Sequence, residues 1–338
     1  MALIVLGEAD DALHRAPDDD PYWTETMWLG FAVPERKITG VTYLVLRTNQ
    51  GVCSLGIWLW DDRNMLEQDV IYFQNYWHLP VPADLANMTL PCGFSHTVIK
   101  PAHSYEVTYD DGAELRLRLL FEGIHEPIAR GHGNDVEGSN QLGHVSGVVR
   151  LNGDELTVDC EEFRGRAWTK RNENRLTPFS DTDEKLDYSD TFAVSPTTTF
   201  FVSTMGKSSK TDVLSGYLLK GGEIHSVVSG KRTVTRDPAS GRPEEVLVEG
   251  TDDAGRTFYA VGTCVNHLLM ATVPGVSFPF WVCGTSWIID GEPGWGEDQD
   301  VPVGRLASGF KDSSRQASET GCSYNSDEVG RSRASGSE

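Results

Sequence analysis

The feature that most constrains the fold is a two-residue alternation of apolar side chains on either side of short turns. In residues 104–123, SYEVTYDDGAELRLRLLFEG, apolar side chains recur at every second position before and after Asp111-Gly112. An alternation of period two places the apolar side chains on one face of a β-strand. An Asp-Gly pair between two such runs favours a tight turn. The segment therefore predicts a hairpin with one buried face.

The same pattern recurs along most of the chain. Residues 144–163, HVSGVVRLNGDELTVDCEEF, alternate in the same way around Asn152-Gly153. Further strand-like runs begin near residues 38, 52, 197, 215, 244 and 279, and no long segment has the periodicity of a helix. Short strands separated by regular turn signals are typical of an antiparallel β-sandwich or β-barrel. The sequence therefore predicts an all-β fold.

A polar, glycine-rich stretch at residues 125–141 interrupts this pattern and has strands on either side. We therefore predict two β domains of similar size, an N-terminal one at residues 1–135 and a C-terminal one at residues 136–304. From residue 305 the chain is rich in serine, glycine and charged residues. Such a composition cannot bury a core, so residues 305–338 are predicted to form a disordered tail.

The charge of the chain argues against two classes of partner. Its 338 residues include 50 acidic and 29 basic side chains, which gives a net charge of -21 and a pI near 4.8. Nucleic acids and anionic membrane surfaces both select clusters of Lys and Arg, so neither is expected to bind. The N-terminus lacks the basic region of a signal peptide, and no stretch is apolar enough to span a bilayer. We therefore predict no transmembrane segment and a location in the cytoplasm.

Motifs for common cofactors and metals are also missing from the sequence. It contains no complete phosphate loop, dinucleotide fingerprint, HExxH zinc motif or nucleophile elbow. Its six cysteines form no CxxC pair and show no zinc-finger spacing. We therefore predict buried free thiols, no metal site and no cofactor. Oligomeric state cannot be read from the sequence.

A strongly basic segment stands out against the acidic composition. Residues 163–171, FRGRAWTKR, hold four cations and no acid. On a strand, one face would carry Arg164, Arg166, Trp168 and Lys170. These cations could pair with the surplus acids and hold the two β units together. Alternatively, Arg164, Arg166 and Trp168 could bind an anionic or carbonyl group of a ligand.

Four short elements resemble motifs of the carotenoid hydratase (hydroxyneurosporene synthase) superfamily, in its two-domain, lipocalin-like bacterial branch. They are Trp23-Thr24-Glu25-Thr26, QLGHVSG at residues 141–147, RGRAWTKR at 164–171 and GEPGWGEDQ at 291–299. The third element departs from that family, because Gly165 and Arg166 stand where its members have Asp and His. The resemblance implies two lipocalin-like antiparallel β-barrel or sandwich domains packed together, with an elongated apolar pocket at their interface.

The resemblance also implies chemistry on a hydrophobic isoprenoid or polyketide-like substrate. A buried carboxylic acid would protonate an alkene, aromatic faces would stabilise the carbocation, and hydration, isomerisation or cyclisation would follow. Glu25 is the preferred acid, because two indoles flank it in sequence, and Asp61 is the second choice. His78 and His96 are possible bases. The candidate aromatic contacts to substrate are Trp23, Trp28, Trp58, Trp60, Tyr72, Tyr76 and Trp77.

Two other interpretations remain open at this stage. A pericyclase would need only shape and one polarising hydrogen bond, with no proton donor. A lipocalin-like carrier would bind a hydrophobic small molecule without converting it, and the loss of Asp and His from the third element favours this reading. A lyase, cyclase or isomerase is favoured by the aromatic and acidic side chains near residues 23 and 58.

Overall fold

A computed structural model describes residues 3–132, 135–171, 186–207, 209–271 and 279–302. Within these ranges the chain forms twenty β-strands, paired antiparallel, and three 3₁₀ helices at Glu8–Asp11, Pro34–Arg36 and Thr48–Gln50. The predicted all-β fold is confirmed. The tail predicted at residues 305–338 lies outside the described residues.

Among the described residues, none of the helices has the length and apolar character needed to cross a lipid bilayer.

The first sheet is a half-barrel of eleven strands in the order β4-β3-β2-β1-β11-β10-β8-β7-β6-β5, with β9 paired to β10. Its strands are β1 (Trp23–Val33), β2 (Ile38–Arg47), β3 (Val52–Trp60), β4 (Tyr72–Pro80), β5 (Asn87–Thr89), β6 (Phe94–Lys100), β7 (Ser104–Asp110), β8 (Leu115–Gly123), β9 (Ile128–His132), β10 (Asp135–Leu151) and β11 (Asp154–Lys170).

The second sheet closes into an eight-stranded barrel, because β17 pairs with β19 as well as with β16. A ninth strand, β18, lies beside β19. The strands are β12 (Asp187–Val194), β13 (Thr198–Gly206), β14 (Lys210–Lys220), β15 (Glu223–Arg236), β16 (Pro243–Asp252), β17 (Thr257–Cys264), β18 (Leu268–Met270), β19 (Phe280–Ile289) and β20 (Glu292–Val301).

Both hairpins predicted from the alternation are present. The β7–β8 hairpin turns at Gly112, whose φ of 78° lies in the left-handed region. The β10–β11 hairpin turns at Asn152 and Gly153, with φ of 52° and 92°. Two successive left-handed residues suit the twist of a hairpin, and Asn-Gly tolerates them at little cost.

The predicted boundary between residues 135 and 136 needs correction. It falls at the start of β10, and both β10 and β11 belong to the first sheet. The change of sheet comes instead between Lys170 and Asp187. The polar stretch at residues 125–141 was misleading because much of it is itself paired strand, in β9 and the first part of β10.

The two domains pack through an apolar cluster that draws from both sheets. The first sheet contributes Trp28, Trp58 and Trp60 among others, and the second contributes Phe192 and Phe201. A separate core fills the half-barrel, and another fills the closed barrel. The first sheet thus has two buried faces, one toward its own concavity and one toward the second domain.

Asn266 joins the two domains by hydrogen bonds. Its Oδ1 accepts from Trp60 Nε1 at 3.0 Å and from the Gly284 amide at 2.9 Å. Its Nδ2 donates to the Lys37 carbonyl at 2.8 Å and to Thr39 Oγ1 at 2.9 Å. The amide is fully buried and its hydrogen-bonding capacity is met, so it fixes the loop before β18 against the first sheet.

Candidate functional site

A small cavity lies in the concavity of the half-barrel. Its volume is about 20 Å³, which is enough for about one water molecule. Its lining has six apolar side chains and four polar ones: Met27, Trp28, Leu29, Leu44, Phe94 and Val107, with Thr42, His96, Tyr105 and Arg164. Pockets for drug-sized ligands are ~300–1,000 Å³, so such a ligand must displace protein groups here.

His96 lines this cavity and has one imidazole nitrogen without a partner among the described residues. Its Nδ1 is 2.7 Å from the Leu85 carbonyl oxygen, which can only accept, so Nδ1 carries the proton. Its Nε2 is buried and has no hydrogen-bond partner among the described residues. Burial, and then the charge of Arg164, lower the pKa of His96 to about 3. The ring is therefore neutral at pH 7, with the lone pair of Nε2 available to a ligand.

Arg164 brings a positive charge to the same wall. Its guanidinium carbon lies 3.7 Å from the centre of the Tyr105 ring, a favourable cation–π arrangement. Asp11 contacts both side chains, accepting from the Tyr105 hydroxyl at 2.8 Å and lying 3.5 Å from Arg164 Nη2. The cavity lining thus combines an acceptor nitrogen, a cation and a phenol. The Asp11 carboxylate already contacts both the cation and the phenol.

Arg166 and Glu25 form a buried ion pair between β11 and β1. Arg166 lies two residues after Arg164 on β11. Arg166 Nη2 donates to Glu25 Oε2 at 2.7 Å, and both side chains are almost completely buried. The His14 amide donates to the other carboxylate oxygen. Burial, and then the charge of Arg164, lower the pKa of Arg166 to about 10. Glu25, the preferred acid of the sequence analysis, is therefore held as the acceptor of an ion pair.

The N-terminal segment before β1 lies over this ion pair. Arg166 donates through its two Nη groups to the carbonyl oxygens of Asp10 and Ala12. The His14 ring stacks on Trp168 with centroids 3.7 Å apart, and Trp168 Nε1 donates to the Val136 carbonyl at 2.9 Å. The predicted face of Arg164, Arg166 and Trp168 is thus covered by the chain's own N-terminal segment.

Replacing Glu25 with Gln is expected to lower the free energy of unfolding by about 2–4 kcal/mol, because the buried charge of Arg166 loses its counterion. Urea denaturation measures the change. Glu155→Gln, in an exposed pair with Arg150, is the control and should change it by under about 1 kcal/mol. Unchanged stability with lost turnover would instead make Glu25 a catalytic acid.

The other predicted aromatic residues do not gather at one pocket. Trp58 and Trp60 belong to the cluster between the domains, and Trp28 packs there while also lining the cavity. Tyr72 and Tyr76 both place their hydroxyls 2.7 Å from that of Tyr109. These residues form core and interface, and the alternation of each strand decides which face each one joins.

Three further predicted residues lie away from the cavity lining. Asp61 accepts from the amide and the guanidinium of Arg63 in the loop after β3. Trp77 is half exposed on β4. Trp23 is buried at the start of β1, opposite Lys170. The second-choice acid, Asp61, is thus a loop residue bound to its own neighbour.

Two buried glutamates at the contact between the domains were missed by the sequence analysis. Glu162 accepts from Trp295 Nε1 at 3.3 Å, and Glu297 accepts from Gln299 Nε2 at 2.7 Å. Burial raises the pKa of Glu297 to about 8, and burial followed by repulsion from Glu297 raises that of Glu162. The available signal for Glu297 is its place inside GEPGWGEDQ, one of the four elements that carry the family resemblance.

A model of one protein family, described as a domain of unknown function (DUF7064), matches residues 7–297. This range includes the N-terminal segment, the first sheet and most of the second. The chain belongs to the DUF7064 family. In this DUF7064 member, both Arg164 and the segment that covers it therefore lie inside the matched range. A search of curated protein sequences finds no match.

Solved structures share the fold of this DUF7064 member at low sequence identity. A putative AttH from Nitrosomonas europaea is 13% identical, with a TM-score of 0.53 over 85% of this chain and 94% of that one. CghA with Sch210972 is 11% identical, with a TM-score of 0.51 over 83% and 88%. Kievitone hydratase from Nectria haematococca is 8% identical, with a TM-score of 0.48 over 84% and 90%. The specific resemblance to carotenoid hydratases stays a prediction.

Proposed function

We propose that this chain is an enzyme that hydrates, isomerises or cyclises a hydrophobic, carbonyl-bearing natural product in the cavity of the first sheet. The observation that carries the proposal is that two polar groups line one cavity together with six apolar side chains: His96, whose buried Nε2 has no partner among the described residues, and the Arg164 cation. A hydrophobic ligand that displaces protein groups here would find both polar groups at its reacting end.

Arg164 would bind the carbonyl oxygen of the substrate and stabilise negative charge as it develops there. A preorganised donor in a dry site stabilises such charge far more than water does. The fixed Arg164–Tyr105 stack holds the guanidinium in place before the substrate arrives. The carbonyl oxygen would replace the Asp11 carboxylate, which contacts Arg164 and Tyr105 now.

His96 would accept a proton or a hydrogen bond from the substrate or from an attacking water. At rest the buried ring is a weak base, because burial lowers its pKa to about 3. Negative charge developing beside it on the carbonyl oxygen would raise that pKa and draw the proton to Nε2. The base and the cation thus act together, and this replaces the acid that the sequence analysis placed on Glu25.

The fold is compatible with a bound small molecule, since CghA was solved with Sch210972. The interface between the domains, predicted to hold the pocket, is instead packed with Trp58, Trp60, Phe192 and Phe201. For this reason we place the substrate in the half-barrel.

The test is incubation of the purified protein with polyenes, terpenoids and linear polyketide mimics, followed by chromatography and mass spectrometry. A gain of one water identifies a hydratase, and a product of unchanged mass with a new retention time identifies an isomerase or cyclase. His96→Phe and Arg164→Lys should each lower turnover by about 10²–10³-fold. Phe keeps a ring on Tyr105, and Lys keeps the charge without the planar fork.

His78, the other possible base of the sequence analysis, is exposed on β4 and is not part of the cavity lining. His78→Asn is therefore the matched control, because Asn tolerates its φ of 57°. It should leave turnover unchanged. Circular dichroism and Tm show whether each variant is folded. Full turnover in folded His96→Phe and Arg164→Lys would contradict the proposal. Binding without any product across the panel would identify a carrier.

A further inference from the structure

Three side chains with soft donor atoms meet at the seam where the second barrel closes. The Sγ atoms of Cys264 and Cys283 and a ring nitrogen of His267 all lie within 4.8 Å of one another. Cys264 ends β17, His267 precedes β18, and Cys283 lies within β19. Cys264 is opposite Thr285 in the β17–β19 pairing, two residues from Cys283, so the two thiols share one face.

The imidazole is already held in the form that a metal requires. His267 Nε2 contacts the Pro243 carbonyl oxygen, which can only accept, so Nε2 carries the proton and the lone pair is on Nδ1. Metal-binding histidines usually donate their second ring nitrogen to a carbonyl or carboxylate in this way. Asn266, one residue before His267, fixes the loop through its hydrogen bonds to the first sheet.

Both thiols of the cluster are available to a metal ion. Both cysteines are buried, and both are free. Thr285 Oγ1 borders the cluster, 3.8 Å from Cys264 Sγ and 3.0 Å from the Cys283 carbonyl oxygen. Two closely spaced thiols and one imidazole match the donors that Zn²⁺ and Cu⁺ prefer, and they do not suit Mg²⁺ or Ca²⁺.

We propose that Cys264, His267 and Cys283 form a binding site for one thiophilic metal ion, Zn²⁺ or Cu⁺. Among the described residues, no further His, Cys, Asp or Glu joins this cluster. Three donors are sufficient for Cu⁺, and Zn²⁺ would complete a tetrahedron with water. The ion would join the end of β17, the loop before β18 and β19, in the domain that does not hold the cavity. Its presence is therefore independent of the function proposed above.

The site is tested on the full-length chain, reduced and stripped with a chelator, then titrated with Co²⁺ and with Zn²⁺. Co²⁺ should bind at one ion per chain and give an intense near-ultraviolet sulfur-to-cobalt charge-transfer band. Zn²⁺ should displace it and raise Tm, since an ion that binds only the folded chain stabilises it. Elemental analysis of protein purified without chelator identifies the resident ion as zinc or copper.

Cys283→Ala and His267→Asn should each weaken Zn²⁺ binding at least tenfold, measured by competition with a chromophoric chelator. Cys92→Ser, outside the cluster, should leave it unchanged. If a variant fails to fold, the Co²⁺ band and the Zn²⁺-dependent Tm of the unmodified chain still test whether the chain binds the ion. Absence of both would overturn the proposal. A Cys264–Cys283 disulfide in the protein as purified, or equal loss of binding in Cys92→Ser, would overturn it as well.

Discussion

Replacing Arg232 with Met is expected to lower the free energy of unfolding by about 3–5 kcal/mol. Arg232 lies inside the second barrel and is 1% exposed. Its Nε and Nη2 donate to the two oxygens of Asp298 at 2.9 and 2.6 Å, and Nη2 also donates to Asp300 at 3.0 Å. Without Arg232, two carboxylates remain buried, and within the described part of the chain their other side-chain partners are Arg236 and Thr191. The loss therefore comes from uncompensated charge more than from lost packing.

Urea denaturation of the purified chain measures this change. Arg150→Met is the control, because Arg150 forms an exposed pair with Glu155 and should contribute under about 1 kcal/mol. Arg232→Met combined with Asp298→Leu should recover part of the loss, since removing Asp298 as well leaves only Asp300 buried without Arg232. If the free energy of unfolding of Arg232→Met lies within about 1 kcal/mol of that of the unmodified chain, other groups compensate the charges of Asp298 and Asp300.

Replacing Glu297 with Gln is expected to stabilise the protein, by an amount that grows with pH. Glu297 is fully buried at the contact between the domains, and its Oε2 has no hydrogen-bond partner within the described residues. Gln keeps the acceptor for Gln299 and carries no ionisable proton. It also removes the charge that raises the pKa of Glu162. Ionisation of these buried carboxyls lowers the free energy of unfolding, and both effects reduce that loss.

The direction of this pH dependence follows from the pKa of Glu297 in the unfolded and the folded state. Folding raises the pKa of Glu297 from 4.5 to about 8, so its contribution is fully present below 4.5 and is lost as pH rises through 8. The full loss is about 5 kcal/mol, at about 1.4 kcal/mol for each unit of pKa. Glu297→Gln and the unmodified chain should have similar stability at about pH 4, and the variant should be more stable at about pH 9. Exposed Glu114→Gln is the control, and a pH-independent difference would contradict the assignment.

Local features of the fold could be predicted because their signals lie close together in sequence. Asp111-Gly112 and Asn152-Gly153 each specify a turn through neighbouring residues alone. The domain boundary could not be predicted, because it depends on the pairing of β1 with β11, which joins Trp23 to Lys170. No alternation in either strand specifies that partner.

The candidate site also has some features that neighbouring residues predict and others that depend on distant parts of the chain. The shared face of Arg164, Arg166 and Trp168 follows from alternation on one strand. Arg164 and Arg166 pair with Asp11 and Glu25, which both belong to the first domain, so these pairs do not join the two β units. Asp11 carries no local pattern that would mark it. The metal-binding cluster was missed because Cys283 comes from another strand, although the Cys264-x-x-His267 spacing was readable in the sequence.

The β1–β11 pairing also sets an order of events during synthesis. β1 leaves the ribosome before β11, and the strand that completes its edge is thus made about 140 residues later. Until then one row of β1 amide and carbonyl groups has no partner strand, and Glu25 has no Arg166. An open strand edge of this kind can pair with other chains. The stretch from β1 to β10 is thus open to wrong strand pairing until β11 has been made.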